Sequence, residues 1–215
     1  MTDTPRRPGR RAGAEGTTDS REALLQAASE LFASRGADAV SVRQVADSAG
    51  VSAAMINYHF KDKRGLMRAV LERGLDRLLE IITEVAGDHD GPVTTSFINR
   101  YIHALNEDPA LPQLMVREVL ARNSPYQKVI AERFARKAVN LMPARLMEDI
   151  AESRLRGDLD PTMTMMSLVG MCVFPFLAGP ILWPVLGYEY DEEFANRLVA
   201  HTTRLFNEGA TPKDD

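Results

Sequence analysis

Apolar residues recur at intervals of three and four from Asp19 almost to the end of the chain, and no segment bounded by turns alternates them at a period of two. That rhythm predicts an all-α fold. The first helix is announced by Asp19-Ser-Arg-Glu22, a capping residue followed by an acid three positions on. Leu24, Ala28 and Leu31 then share a face that Leu25 and Phe32 widen, and Gly36 fits the left-handed residue that ends such a helix. Ser41-Val-Arg-Gln44 is a capping box, and Val42, Val45, Ala46 and Ala49 line one side of a short second helix. After Gly50, Ser52 is placed to cap a third helix containing Met55, Ile56 and Phe60. Asp62 caps a long fourth, which carries Leu66, Val70, Leu75, Leu78, Leu79, Ile82 and Val85 as far as Gly87.

Helical patterns continue near 93–106, 110–122, 125–156, 162–174 and 191–207. Ser124-Pro125 and Asp160-Pro161 each pair a cap with a proline suited to the first helical position. Pro143 is expected to kink or break the pattern that contains it. From Pro161 to Tyr188 there is no charged residue, so a membrane span has to be weighed. Between Pro161 and Pro175 only 13 residues run uninterrupted. They reach roughly 20 Å, short of a hydrocarbon core of about 30 Å. The reading is buried core or oligomer interface, with no membrane partner.

Composition narrows the class. The chain has 215 residues, 45% hydrophobic and 26% charged, as ordinary globular proteins do. One cysteine excludes an intramolecular disulfide framework, and no Cys/His spacing suggests a metal site. The opening MTDTPRRPGRRAGAEG is polar and Arg-rich, unlike a secretory leader, so a cytoplasmic protein is expected. A net charge of −4 looks unsuited to nucleic acid until it is divided. Residues 1–64 carry ten Lys/Arg against eight Asp/Glu, a balance of +2, which leaves −6 for the remainder. Four of those bases lie in Arg6–Arg11, within a Gly/Pro/Arg/Thr-rich stretch (1–18) read as a disordered basic arm able to follow phosphates.

The informative run is SVRQVADSAGVSAAMINYHFKDK, Ser41 to Lys63. Two short helices joined by Ala49-Gly50-Val51-Ser52 make a helix-turn-helix pattern. With Ile56 and Phe60 packed inward, Ser52, Ala53, Asn57 and Tyr58 point outward, and Met55 and His59 lie at the margin. Small residues allow close approach to base edges, and Asn pairs bidentately with adenine. Tyr58, Ser52, Lys61 and Lys63 suit phosphate contacts. Spacing alone leaves an ordinary helical hairpin equally open.

Val51-Ser-x-x-x-Ile-Asn-Tyr-His-Phe60-x-x-Lys63, preceded by a helix ending in Phe32-x-x-x-Gly36, resembles the TetR family of one-component transcriptional regulators across about residues 19–70. The resemblance implies a three-helix DNA-binding domain (19–64), a linking fourth helix, and a helical domain within 65–215 that dimerises and binds a small-molecule effector. It implies that Arg43, Ser52 and Ala53 face DNA, that Asn57, Tyr58 and His59 lie along groove and backbone, and that Lys63 holds phosphate. Ala53 and Asn57 depart from the residues common in the family at those positions, which leaves the operator sequence open. An effector pocket in the second domain would draw walls from Phe97, Tyr101, Met115, Phe134, Met166 and Phe174, with His103 or Arg117 as polar handles; each also serves as plain core. Leu168, Phe194, Leu198 and Leu205 are candidates to face a partner subunit. Asp88-His89-Asp90 reads as a polar turn, and Cys172 as an inert core thiol.

The expected function is a homodimeric regulator, most often a repressor in this family, released from a palindromic operator by a lipophilic effector, with no cofactor or metal. Two rivals stand beside it. A helical enzyme acting on a hydrophobic small molecule lacks any legible nucleophile–base arrangement. An architectural DNA binder would show a specificity ratio near one.

Overall fold

The computed structural model describes the backbone of residues 15–210 and the side chains of residues 19–209. Most of the arm expected at 1–18, with its arginines, therefore lies outside the described residues. Every element among the described residues is helical, in agreement with the period of the pattern. Two compact units divide between Val70 and Leu71.

The first unit holds α1 (Glu15–Arg35), α2 (Val42–Ser48), α3 (Ala54–Phe60) and the start of α4 (Lys63–Gly87). Its core holds most of the set the spacing selected: Leu24, Leu25, Ala28, Phe32, Val45, Ile56 and Phe60 are buried, whereas Leu31, Val42 and Ala49 are half-buried. Helix α1 begins four residues before the Asp19 signal. The Ser41 capping box forms as read, with Ser41 Oγ accepting from the Gln44 backbone N–H and Gln44 Oε1 accepting from the Ser41 N–H. Ser52 does not cap α3. Its place is taken by Ala53, whose side chain has no acceptor, and only the Ser52 carbonyl engages the helix, accepting from Met55 N–H. Asp62 does cap α4, accepting from Gly65 N–H at 2.8 Å.

The second unit continues α4 and adds α5 (Val93–Glu107), α6 (Ala110–Leu114), α7 (Gln127–Ile130), α8 (Arg136–Ala151), α9 (Pro161–Leu186) and α10 (Glu192–Ala210). Two π-helical turns, π1 (Met115–Val119) and π2 (Ala131–Ala135), interrupt what the pattern presents as single helices over 110–122 and 125–156. Ser124-Pro125 starts no helix directly. The Ser124 hydroxyl donates to Glu118 O and accepts from Tyr126 N–H, closing a turn before α7. Pro143 sits inside an unbroken α8.

The largest correction concerns α9, which runs 26 residues straight through Pro175, Pro180 and Pro184. Each proline orphans the carbonyl four residues back. For Pro180 that carbonyl is Phe176 O, and the Tyr190 hydroxyl donates to it at 3.3 Å. Gly179 makes room for that bond, since a Cβ there would lie 1.8 Å from the Tyr190 oxygen. At roughly 39 Å the helix is long and apolar enough to cross a bilayer, so the length argument against a span does not hold. One face of it belongs to the protein core instead: Thr164, Met165, Leu168, Cys172 and Phe176 are buried there. Leu168 and Phe194 likewise pack inside the chain's own core and do not face outward as expected, whereas Leu205 is exposed.

A buried ion pair ties the unit together. Arg145 and Asp149 pair within α8, and Asp149 also accepts from Arg154 Nε and from Val93 N–H, each at 2.7 Å. Arg145 donates onward to the carbonyls of Asp88 and Gly91. The Asp88-His89-Asp90 segment is thereby a pinned turn, with the Asp88 carboxylate accepting from Asp90 N–H.

Candidate nucleic-acid interface and apolar cavity

The helix-turn-helix is assembled from α2, a turn and α3. Gly50 adopts φ +67 in that turn, a conformation side-chain-bearing residues rarely take, and Val51 N–H donates to Ala46 O at 3.0 Å to close it. Burying Ile56 and Phe60 at i and i+4 turns the opposite face of α3 outward. Ser52, Ala53 and Asn57 are exposed there, and Tyr58 is 72% exposed. Arg43 lies exposed on α2, 3.9 Å from Asp47. That pair contributes little in water and yields readily to another anion. Lys63 opens α4 and is half-buried.

His59 is placed differently from its neighbours. It is half-buried, with Nε2 3.1 Å from Ser20 Oγ, and its ring meets Tyr58 edge-on at 4.9 Å. This ties α3 to α1. The spacing of the motif thus separates an outer face from an inner face correctly, and the structure adds the Ser20 tether, which no local pattern announces.

In the second unit a cavity of about 260 Å³ lies between α4, α5, α6, π1, π2 and α9. Of the residues expected to wall a pocket, Tyr101, Met115 and Phe134 line it. Phe97 is core, stacked on Tyr101 at 4.7 Å between ring centres. Met166 and Phe174 are exposed on the far side of α9, Arg117 is exposed, and His103 is half-buried without joining the lining. The pattern missed Leu75, Leu111, Pro112, Leu120 and Val173, because an apolar residue facing a cavity repeats at the same interval as one facing core. Tyr101 brings the only hydroxyl among the lining residues. Burial first, and the neighbouring Cys172 second, push its ionisation well above the usual tyrosine range, so it stays neutral. Burial also pushes the Cys172 thiol up to about 12, which keeps it unreactive at neutral pH.

Residues 24–70 match the family model described as bacterial regulatory proteins, tetR family. The chain is 28% identical over 160 residues to the HTH-type transcriptional repressor KstR2 of Mycolicibacterium smegmatis, covering 74% of each protein. It is 44% identical over 61 residues to the HTH-type transcriptional activator FasR of the same organism, 28% of each. Among solved structures, the ketosteroid transcriptional regulator KstR2 of Mycobacterium tuberculosis superposes with a TM-score of 0.74 at 21% identity, over 90% of this chain and 95% of that one. A Clostridium perfringens putative fatty acid metabolism regulator gives 0.71 at 20% identity, over 89% and 100%.

Proposed function

We propose that the chain is a TetR-family transcriptional regulator that binds DNA through its helix-turn-helix, a reading supported by the match over residues 24–70 and by its repressor relative, and that it acts as a homodimeric repressor, freed from a palindromic operator by a small lipophilic effector. The observation that carries the DNA half is the outer face of α3, where small and hydrogen-bonding side chains stand clear of the core. Ser52 and Ala53 let the start of the helix approach base edges, and the Asn57 amide matches the donor–acceptor pair of adenine. Arg43, Tyr58 and Lys63 supply phosphate contacts that set register. His59, held by Ser20, fixes the angle at which α3 is offered. DNA binding resides in residues 19–64, dimerisation and effector binding in 65–215. Such a regulator works in the cytoplasm, where it meets the chromosome.

Support for the dimer comes from α9. Met163, Met166, Phe174, Ile181 and Val185 form an exposed stripe along it, with Ile181 76% and Val185 81% open to water. Each Å² of apolar surface covered gains about 25 cal/mol, and a second copy covers the stripe with the same stripe, as a two-fold axis requires. Two recognition helices then meet successive major grooves, about 34–36 Å apart.

Support for the effector comes from the cavity. Its lining is apolar apart from Tyr101, so it takes a hydrocarbon body with one hydrogen-bonding group and leaves any charge outside. Ketosteroid and fatty-acid chemistry, named for the two structural relatives above, fits that lining. An effector that binds one conformation better draws the dimer toward it, away from the spacing the operator demands. The test is a gel shift on DNA upstream of the protein's own gene and on a random library. The expected result is a shifted dimer complex released by a hydrophobic ligand. No shift at low salt on either DNA overturns the proposal.

A further inference from the structure

One short peptide joins the cavity wall to helix α4. Turn π2 presents Phe134 to the cavity, and Arg133, next to it, grips α4. The Arg133 guanidinium forks onto Asp76, with Nε to Oδ1 at 3.0 Å and Nη2 to Oδ2 at 2.6 Å, and Nη1 lies 3.6 Å from Glu72. Leu75 and Leu78, on the same turns of α4, line the cavity. A second attachment lies on the other side of the helix. Leu111, also lining the cavity, seats against Gly74, where a Cβ would stand 2.7 Å from its Cδ1. A ligand that fills the cavity therefore meets Leu75, Leu111 and Phe134 together.

We propose that Arg133 is a positioning residue that passes the state of the cavity to α4, an inference that rests on the effector reading above. A π turn holds one residue more than an α turn, so a change to α register re-aims every side chain it carries. Displacing Phe134 thus moves the Arg133 fork, and a bidentate fork is sensitive to angle in a way that a point charge is not. The fork is about half-exposed, so its worth to stability is small; what it supplies is geometry. Helix α4 is continuous from there to Lys63, beside the recognition helix in sequence.

The experiment measures coupling, not binding alone. The full chain is titrated with N-phenyl-1-naphthylamine, an uncharged apolar fluorophore, free and on a duplex selected from a random library by the wild-type protein. The expected wild-type result is probe affinity weakened about tenfold on DNA, with DNA affinity weakened equally by the probe, because linkage is reciprocal. Arg133→Gln should keep probe affinity within about twofold while coupling falls below about threefold. Asp76→Asn should do the same from the α4 side, and Arg133→Lys should fall between. Full coupling in Arg133→Gln and Asp76→Asn overturns the role of Arg133 and leaves the effector reading standing. Absence of coupling in the wild-type chain overturns both. Hydrogen exchange of amides 72–80 supplies a readout free of DNA: the probe should change it in the wild-type chain and not in Arg133→Gln.

Discussion

Replacing Gly65 with alanine should disable the DNA-binding unit, although alanine is the better helix former. Gly65 lies in the first turn of α4, directly after the corner that α3 makes at Phe60. A Cβ built there falls 2.0 Å from Phe60 O and 3.1 Å from Phe60 C. An ordinary carbon–oxygen contact is about 3.3 Å or more, so the corner must open by more than about 1 Å. The obstacle is backbone and cannot rotate away. Opening the corner draws Phe60, which is buried beside Ile56, out of its seat. Overpacking of this kind costs about 1–3 kcal/mol, and losing a buried phenylalanine outright costs about 3–5. Against that stands a propensity gain of about 1 kcal/mol. A net loss of about 2 kcal/mol corresponds to a melting temperature about 10 °C lower for a unit of this size. In hydrogen exchange, protection of the α2 and α3 amides should fall about thirtyfold, and DNA affinity should fall with it. Gly209→Ala, where a Cβ meets nothing, is the control. Unchanged or increased protection in Gly65→Ala would refute the steric argument.

Other outcomes follow from the same geometry. Lys63→Ala should weaken binding to all DNA sequences alike and lower the salt slope by about 1, whereas Asn57→Ala should change base preference by about 1–3 kcal/mol at one position; a binding titration against salt and a repeated selection distinguish them. Ile181→Asp with Val185→Asp should shift the chain toward monomer in sedimentation and cost operator affinity, and an unchanged dimer would remove α9 from the interface. Gly179→Ala should destabilise the second unit, because Tyr190 is displaced from the Phe176 carbonyl, and an unfilled buried acceptor costs about 1–3 kcal/mol. Cys172, its thiol favoured by burial, should react with a thiol reagent at pH 8 only as fast as the second unit opens; prompt stoichiometric labelling would contradict the buried placement.

Helix identity and the two faces of α3 were legible because both depend on local repetition and local caps. Ser41-Val-Arg-Gln44 and Asp160-Pro161 announce starts that the structure uses. The interruptions were not legible. The spacing around Met115 or Ala131 does not single out a π turn, since its added residue lengthens one interval of the apolar pattern by a single position, within the irregularity of the pattern itself. Helix α9 escaped for a different reason. Its prolines argue locally for a break, and the donor that answers Pro180 is Tyr190, ten residues on, admitted by the missing side chain of Gly179. The cavity was half legible: Tyr101, Met115 and Phe134 were picked out as bulky residues on middle helices, whereas Met166 and Phe174 lie on the wrong side of α9, a matter of helix rotation that bulk does not reveal.

The central claim is sequence-specific DNA binding by the exposed face of α3. It is tested most directly by fluorescence anisotropy of the full chain on a selected palindrome, with random duplex as competitor at physiological salt. The palindrome should be preferred by about 10³-fold or more, and Asn57→Ala should lower that preference by about tenfold or more. A specificity ratio near one, or a preference unchanged in Asn57→Ala, would contradict it.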